Sequence, residues 1–424
     1  MLRDDLADDL QADELAPGFI RPAWKDYCFA NIPDTVLSLF NGEANRPLPA
    51  EVFEDVSIDI DHVIVAFVDG LGWKHFRRAQ SEHPFLKLLA NHAVVTPLTS
   101  IYPSETAAAV STVHTGKQPV EHGVLGWNAY IEELGGYVQT LPFADRDRTP
   151  LSEVHDDPDP AQMLDIPTVY ERLEGDSVLL QPDGIGESTY ASQANRGAEC
   201  VDYNNVAQAA YQVRETLEAA NMPTYCYCYL PNVDALSHKK GVAHPETDAQ
   251  LGAICHALQR EVIGKLDGAV AERTLLLVTA DHGEVDSTPE TTVDLRTLEL
   301  DPHVSRTPNG EPIPALGGPR NLQFYTRDGH RDALRTELER GLAPLDPFIF
   351  TRETITEEEL FGDRELSERF LQRCPDLLAV PAEGMAWHDG GHLSNVSGHG
   401  GLHSTEMLIP FAAARIDTLQ SHSN

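Results

Sequence analysis

Leu275-Leu276-Leu277-Val278-Thr279-Ala280-Asp281-His282-Gly283-Glu284 joins an uncharged apolar run to a carboxylate and an imidazole side by side. Such a run predicts a strand buried on both faces, as in a parallel sheet covered by helices. Open α/β sheets build their sites beyond the carboxyl ends of such strands. Carboxylate and imidazole together suit a divalent cation such as zinc or manganese. A capped turn is the plain alternative, so the rest of the chain must decide.

Working outward, apolar runs alternate with amphipathic stretches. HVIVAFVDG (62–70), SVLLQPDG (177–184) and TYCYCYL (224–230) read as strands; TVYERLEG (168–175), NNVAQAAYQVRETLEAAN (204–221) and residues 248–272 read as helices, the last as one long helix. This alternation predicts an α/β fold with a mostly parallel central sheet and helices on both faces. Residues 1–58 read as an acidic, loop-rich lead-in, and 129–165 as a surface excursion. Residues 285–390, rich in Pro, Gly and charge, read as a smaller inserted cap. The catalytic core is then expected over 59–284 and 391–424.

The 424 residues carry 67 acidic against 31 basic side chains, a formal net charge of −36, and only seven of the basic residues are lysines. A fold so charged repels itself at low ionic strength, and concentrated salt screens that repulsion within a few Å. The composition therefore predicts a protein adapted to molar salt, and it disfavours binding to a nucleic-acid backbone. No apolar stretch is long enough for a membrane span, and the acidic amino terminus lacks the apolar core of a secretory signal. The six cysteines show no paired zinc-site spacing and read as reduced thiols. A cytoplasmic location is the expectation.

Three further segments bear on Asp281 and His282. Asp69 ends the run VIVAFVDG and is followed by Gly-Leu-Gly, which suits a metal ligand or a capped βα turn. Pro103-Ser104-Glu105-Thr106 precedes a small-residue helix, where a hydroxyl meets the positive end of the helix dipole. Such a hydroxyl serves either as a cap or as a nucleophile. Asp234 and His238 stand four apart after a strand, a spacing that lets both face one ion, with His244 as a spare. The Gly-rich loop offers His392, His399 and His403, of which His399, between glycines, is the most ligand-like; His114 and His122 read as structural. Three carboxylates, three imidazoles and one hydroxyl make the inventory of a two-metal site with its own nucleophile.

The order and wording of FVDGLGW (67–73), YPSETAAAVSTVHTGKQPVEHGVLGWN (102–128), PNVDALSHKKG (231–241), VTADHGE (278–284) and SGHGGLH (397–403) resemble the alkaline phosphatase superfamily, in its type I phosphodiesterase/nucleotide pyrophosphatase-like branch. The resemblance implies two divalent ions, zinc first and manganese second. Asp69, Thr106, Asp281 and His282 would surround one, and Asp234, His238 and His399 the other. Thr106 would attack phosphorus and form a phospho-threonine that water hydrolyses, and Asn128, about one residue off the family position, would support a phosphate oxygen. The expected partner is a small phosphorylated substrate, a phosphodiester or nucleotide pyrophosphate.

Two departures keep other substrates open. Ala107-Ala108-Ala109-Val110 replaces the family's polar residues after the nucleophile, and Gly-Gly-Leu after His399 is closer to phosphonoacetate hydrolases. Phosphonate hydrolysis, phosphomonoester hydrolysis and a non-catalytic binding relative are the alternatives. A sulfatase is disfavoured by the lack of a Cys-x-Pro-x-Arg segment, and a phosphoglycerate mutase by the lack of a large inserted domain after Asp69.

Overall fold

In the computed structural model, which describes residues 1–40, 42 and 44–423, the run at 275–278 lies within a fully buried strand. It belongs to a seven-stranded sheet built from β1 (His62–Val68), β2 (Val94–Thr99), β3 (Asp176–Pro182), β4 (Glu199–Tyr203), β5 (Thr224–Leu230), β6 (Thr274–Thr279) and β7 (Leu408–Arg415). The spatial order is β2-β7-β6-β1-β5-β3-β4. Pairing is parallel from β6 through β1, β5 and β3 to β4, while β7 runs antiparallel between β6 and β2. The mostly parallel α/β sheet flanked by helices is as expected from the apolar runs.

Register places the candidate residues. Thr279 lies opposite Phe67, and Val68 opposite Leu230, so β6, β1 and β5 end at one level. Asp281, Asp69 and Asp234 follow those ends within a few residues. Because β7 is antiparallel, its first residue Leu408 lies opposite Thr99, the last of β2. The His399 loop entering β7 and the Thr106 segment leaving β2 therefore meet at the same edge. No local pattern had to bring these segments together; the ladder does it.

A second, antiparallel sheet of six strands uses Phe348–Thr351, Leu377–Val380, Asn321–Phe324 and Leu316–Gly318, and continues into Asn128–Ile131 and Gly136–Gln139. Four strands come from 285–390, but the last two form a hairpin in the stretch read as a surface excursion. The strand at 377–380 alternates faces. Leu378 and Val380 join the main core, whereas Leu377 and Ala379 pack in a separate cluster with Leu334 and Leu338 of the helix Arg331–Gly341. The lead-in is also more than loop: Phe19, Phe29, Ile32 and Val36 are buried in the main core. The expected long helix over 248–272 is interrupted, running as Pro245–Leu258, a π turn at Gln259–Ile263 and a short helix Gly268–Ala271. Among the described residues no helix is long and apolar enough to cross a membrane.

Candidate functional site

Two short helices begin at the shared sheet edge. α1 (Thr106–Thr115) follows Glu105, and Thr106 occupies its first turn. α2 (Asn232–Lys240) follows β5 and carries Asp234 and His238 on one face, four residues apart. Gly70, just after Asp69, has φ +76°, and a Cβ there would meet the Asp234 Cβ at 3.0 Å. Only glycine lets the β1 turn approach α2 this closely.

Three carboxylates, three imidazoles and a hydroxyl converge. The donor atoms of Asp234, His238 and His399 lie within 4.8 Å of one another, as do those of Asp69, Asp234 and His282. Asp234 is common to both groups, and its Oδ1 is 3.3 Å from His238 Nε2 and 3.6 Å from His399 Nε2. His282 Nε2 is 3.4 Å from Asp69 Oδ1, 3.3 Å from Asp281 Oδ2 and 3.2 Å from the Thr106 hydroxyl. The His282 and His399 rings stack at 3.6 Å between centroids.

The histidines are oriented from behind. Nδ1 of His282 faces the Gly283 carbonyl at 3.0 Å, Nδ1 of His238 the Ser397 carbonyl at 2.9 Å, and Nδ1 of His399 the Ser104 carbonyl at 3.0 Å. A carbonyl only accepts, so each bond assigns the proton to Nδ1 and leaves the Nε2 lone pair facing the centre. This is the arrangement that orients imidazole ligands around a metal. Facing those lone pairs, Asp69 Oδ1, Asp234 Oδ1 and Asp281 Oδ2 are buried without a hydrogen-bond partner among the described residues. Donor lone pairs and orphaned carboxylate oxygens fit divalent cations.

Electrostatics point the same way. Burial, then Asp281 and Asp234, holds the Asp69 carboxyl well above its ordinary range. Burial likewise raises Asp281, against the pull of His282. His399 is held far below its ordinary value by burial and then by His282 and His238. His238 is raised: burial works against its charge, but Asp234 and Glu284 outweigh it. Three carboxylates buried this close together call for a cation from outside.

Not every expected residue joins this group. Asn128 does not: its amide donates to the Gly317 carbonyl at 2.9 Å and its Oδ1 accepts from Tyr137 at 2.5 Å, both within the second sheet. The neighbouring Trp127 lines the cavity that holds Thr106. Successive side chains near a strand point to opposite faces, so a one-residue offset turns Asn128 away. Ser104 is committed to the His399 loop, donating to the Gly401 carbonyl at 2.8 Å and accepting from Gly400 N at 3.2 Å. His244 and His403 accept backbone amides at helix starts, and His392 pairs with Asp389. His114 bonds Tyr170 and His122 bonds Thr112, and burial pushes both rings down to about 3.

Two residues belong to the group although their residue types did not single them out. The Tyr229 hydroxyl donates to Asp69 Oδ2 at 2.5 Å. Glu284, pushed up to about 8 by burial and then by Asp234, leaves Oε1 without a partner while Ser397 donates to Oε2. The signals available were position alone, at the end of β5 and inside the Asp-His-Gly-Glu turn.

The loop carrying His399 is held by a fully buried ion pair. Arg320 donates to Glu406 through Nε at 2.8 Å and Nη2 at 2.7 Å, and Glu406 accepts from Gly401 N and His403 N at 3.1 Å each. Removing one partner strands the other charge, which costs about 3–5 kcal/mol. Arg320→Met is therefore expected to lower the guanidinium midpoint markedly, and Arg320→Met with Glu406→Met to recover most of the loss. An unchanged midpoint in the single variant would rule out this role for the pair.

Murine ectonucleotide pyrophosphatase/phosphodiesterase 5, in an inactive form in complex with AMP, superposes with a TM-score of 0.62 at 15% identity, covering 85% of this chain and 92% of its own. The human ectonucleotide pyrophosphatase/phosphodiesterase 5 gives 0.63 at 14% identity, with 85% and 92% covered. Phosphonoacetate hydrolase from Sinorhizobium meliloti, in complex with phosphonoformate, gives 0.57 at 16% identity, with 86% and 95% covered. At such identities these matches establish the fold. A sequence search of curated proteins gives no match. The family model for type I phosphodiesterase / nucleotide pyrophosphatase matches residues 63–404, most of the chain, and the protein belongs to that family.

Proposed function

We propose that this protein is a metal-dependent phosphoester hydrolase acting on phosphodiester-type bonds, with Thr106 as nucleophile. The observation that carries this reading is the set of three imidazoles, each fixed through Nδ1 by a backbone carbonyl, facing orphaned carboxylate oxygens beside the Thr106 hydroxyl. Asp69, Asp281, His282 and Thr106 would hold one ion and Asp234, His238 and His399 the other, with zinc the first choice and manganese the second. Two bound cations would neutralise the carboxylates and clamp the phosphoryl oxygens.

The chain's own residues do the rest. Thr106 Oγ1 lies in the first turn of α1, where the helix dipole favours an anion. Its bond to phosphorus forms as the bond to the departing alcohol breaks, the hydroxyl proton of Thr106 leaving with that alcohol. Water then attacks the phospho-threonine, and Thr106 regains its proton as the phosphorus–Oγ1 bond breaks. Tyr229 fixes the Asp69 carboxylate during both halves. The acidic surface suits molar salt, and six free cysteines, five of them buried, suit a reducing cytoplasm.

Hydrolysis of bis-p-nitrophenyl phosphate should exceed that of p-nitrophenyl phosphate in kcat/KM, in molar salt with zinc or manganese. A preference for the monoester would refute the diester reading. A phosphonate hydrolase is the second reading, favoured by Gly400-Gly401-Leu402 after His399, and release of phosphate from phosphonoacetate would support it.

A further inference from the structure

Thr106, Asp69 and Asp234 line a cavity of about 330 Å³, whereas His238, His282 and His399 do not. This volume is at the small end for organic ligands. Trp127, Leu141, Leu179, Ile185 and Ala191 line it, and Val110, one of the departures noted after Thr106, faces it from α1. Ile185 is 43% exposed, an apolar side chain left at the surface. Among the described residues no lysine or arginine lines this cavity, and the only carboxylates that do are Asp69 and Asp234.

Its polar atoms are largely spoken for. Tyr190 bonds Ser111, Tyr229 bonds Asp69, the Gln181 amide reaches Asp202, and the Asn195 amide reaches Cys200. Besides the Asp69 and Asp234 oxygens, the exception among the described residues is Tyr227, 1% exposed, whose hydroxyl is buried without a partner. A buried hydroxyl in that state lacks the hydrogen bond that burial demands.

Resting on the phosphoester reading above, we propose that the organic group of the substrate is a small, uncharged, mainly apolar ring or branched chain. A nucleoside would set base and sugar polar groups against apolar walls, at a desolvation cost. A pyrophosphate's second phosphate would find no cationic side chain along this wall. A phenyl-sized group fits within the cavity against Trp127 and Val110.

Calorimetry on the full, zinc-loaded chain in molar salt tests this, with methylphosphonate, phenylphosphonate and thymidine 5′-monophosphate as the probes. Phenylphosphonate is expected to bind at least about tenfold more tightly than either other probe, since apolar groups in such pockets count for factors of this size. Ala191→Phe, which narrows the cavity, should cut the phenyl-to-methyl affinity ratio at least about fivefold. Val110→Phe reads the same volume from α1 if the first variant does not fold. Tighter binding of thymidine 5′-monophosphate, or an unchanged ratio in both variants, overturns the proposal. Hydrolysis of bis-p-nitrophenyl phosphate measured in parallel separates the two ideas. Turnover with the wrong affinity order sinks only the apolar-group assignment, whereas absent turnover sinks the phosphoester reading beneath it.

Discussion

Thr106→Ala is expected to lower kcat on bis-p-nitrophenyl phosphate by about 10⁴-fold or more, the scale seen when a nucleophile is removed from a catalytic unit. The methyl group left behind cannot bond phosphorus, and nothing nearby replaces it. Ser104 is the nearest rival by sequence, but its hydroxyl donates to Gly401 and accepts from Gly400. Ion binding should survive in Thr106→Ala, because the carboxylates and imidazoles remain. Thr106→Ser should restore part of the activity. Steady-state kinetics with metal analysis of each variant checks this. Activity of Thr106→Ala within tenfold of the parent would remove Thr106 from the mechanism.

The second large effect concerns the cations. Asp69 Oδ1, Asp234 Oδ1 and Asp281 Oδ2 have no hydrogen-bond partner among the described residues, and the Asp69 carboxyl is held well above its usual range by burial and its acidic neighbours. Stripping the protein with a chelator should abolish turnover and lower Tm. A ligand at about a thousand times its Kd stabilises by about 4 kcal/mol per site. For two sites on a chain of this size that is a shift on the order of 5–10 °C. Differential scanning calorimetry with and without zinc or manganese measures it. A Tm indifferent to both ions would mean that the carboxylates do not await a cation.

Much of this site was legible because buried parallel strands write themselves as unbroken apolar runs. Val63–Val68 and Leu275–Val278 are such runs, so the sequence itself puts Asp69, Asp281 and His282 at strand ends. Asp234 and His238 followed from helical spacing. Asn128 was misplaced for a reason equally local: on a strand, one residue of offset reverses the side chain, and Trp127 takes the cavity instead. The second sheet was illegible. Asn128 pairs with Gly317 across the chain, and a short strand's own sequence carries no sign of so distant a partner. Tyr229 was hidden for another reason: one tyrosine among several in an alternating strand shows its role only when its hydroxyl meets Asp69.

The central claim is a covalent step at one atom, Thr106 Oγ1. Rapid acid quenching of the zinc-loaded protein during turnover, followed by peptide mass spectrometry, reads that step directly. The account predicts one added phosphoryl group on the peptide containing Thr106, with fragment ions assigning it to that threonine, and its absence in Thr106→Ala. A phosphoryl group on Ser104, or none on any residue during sustained turnover, would contradict it.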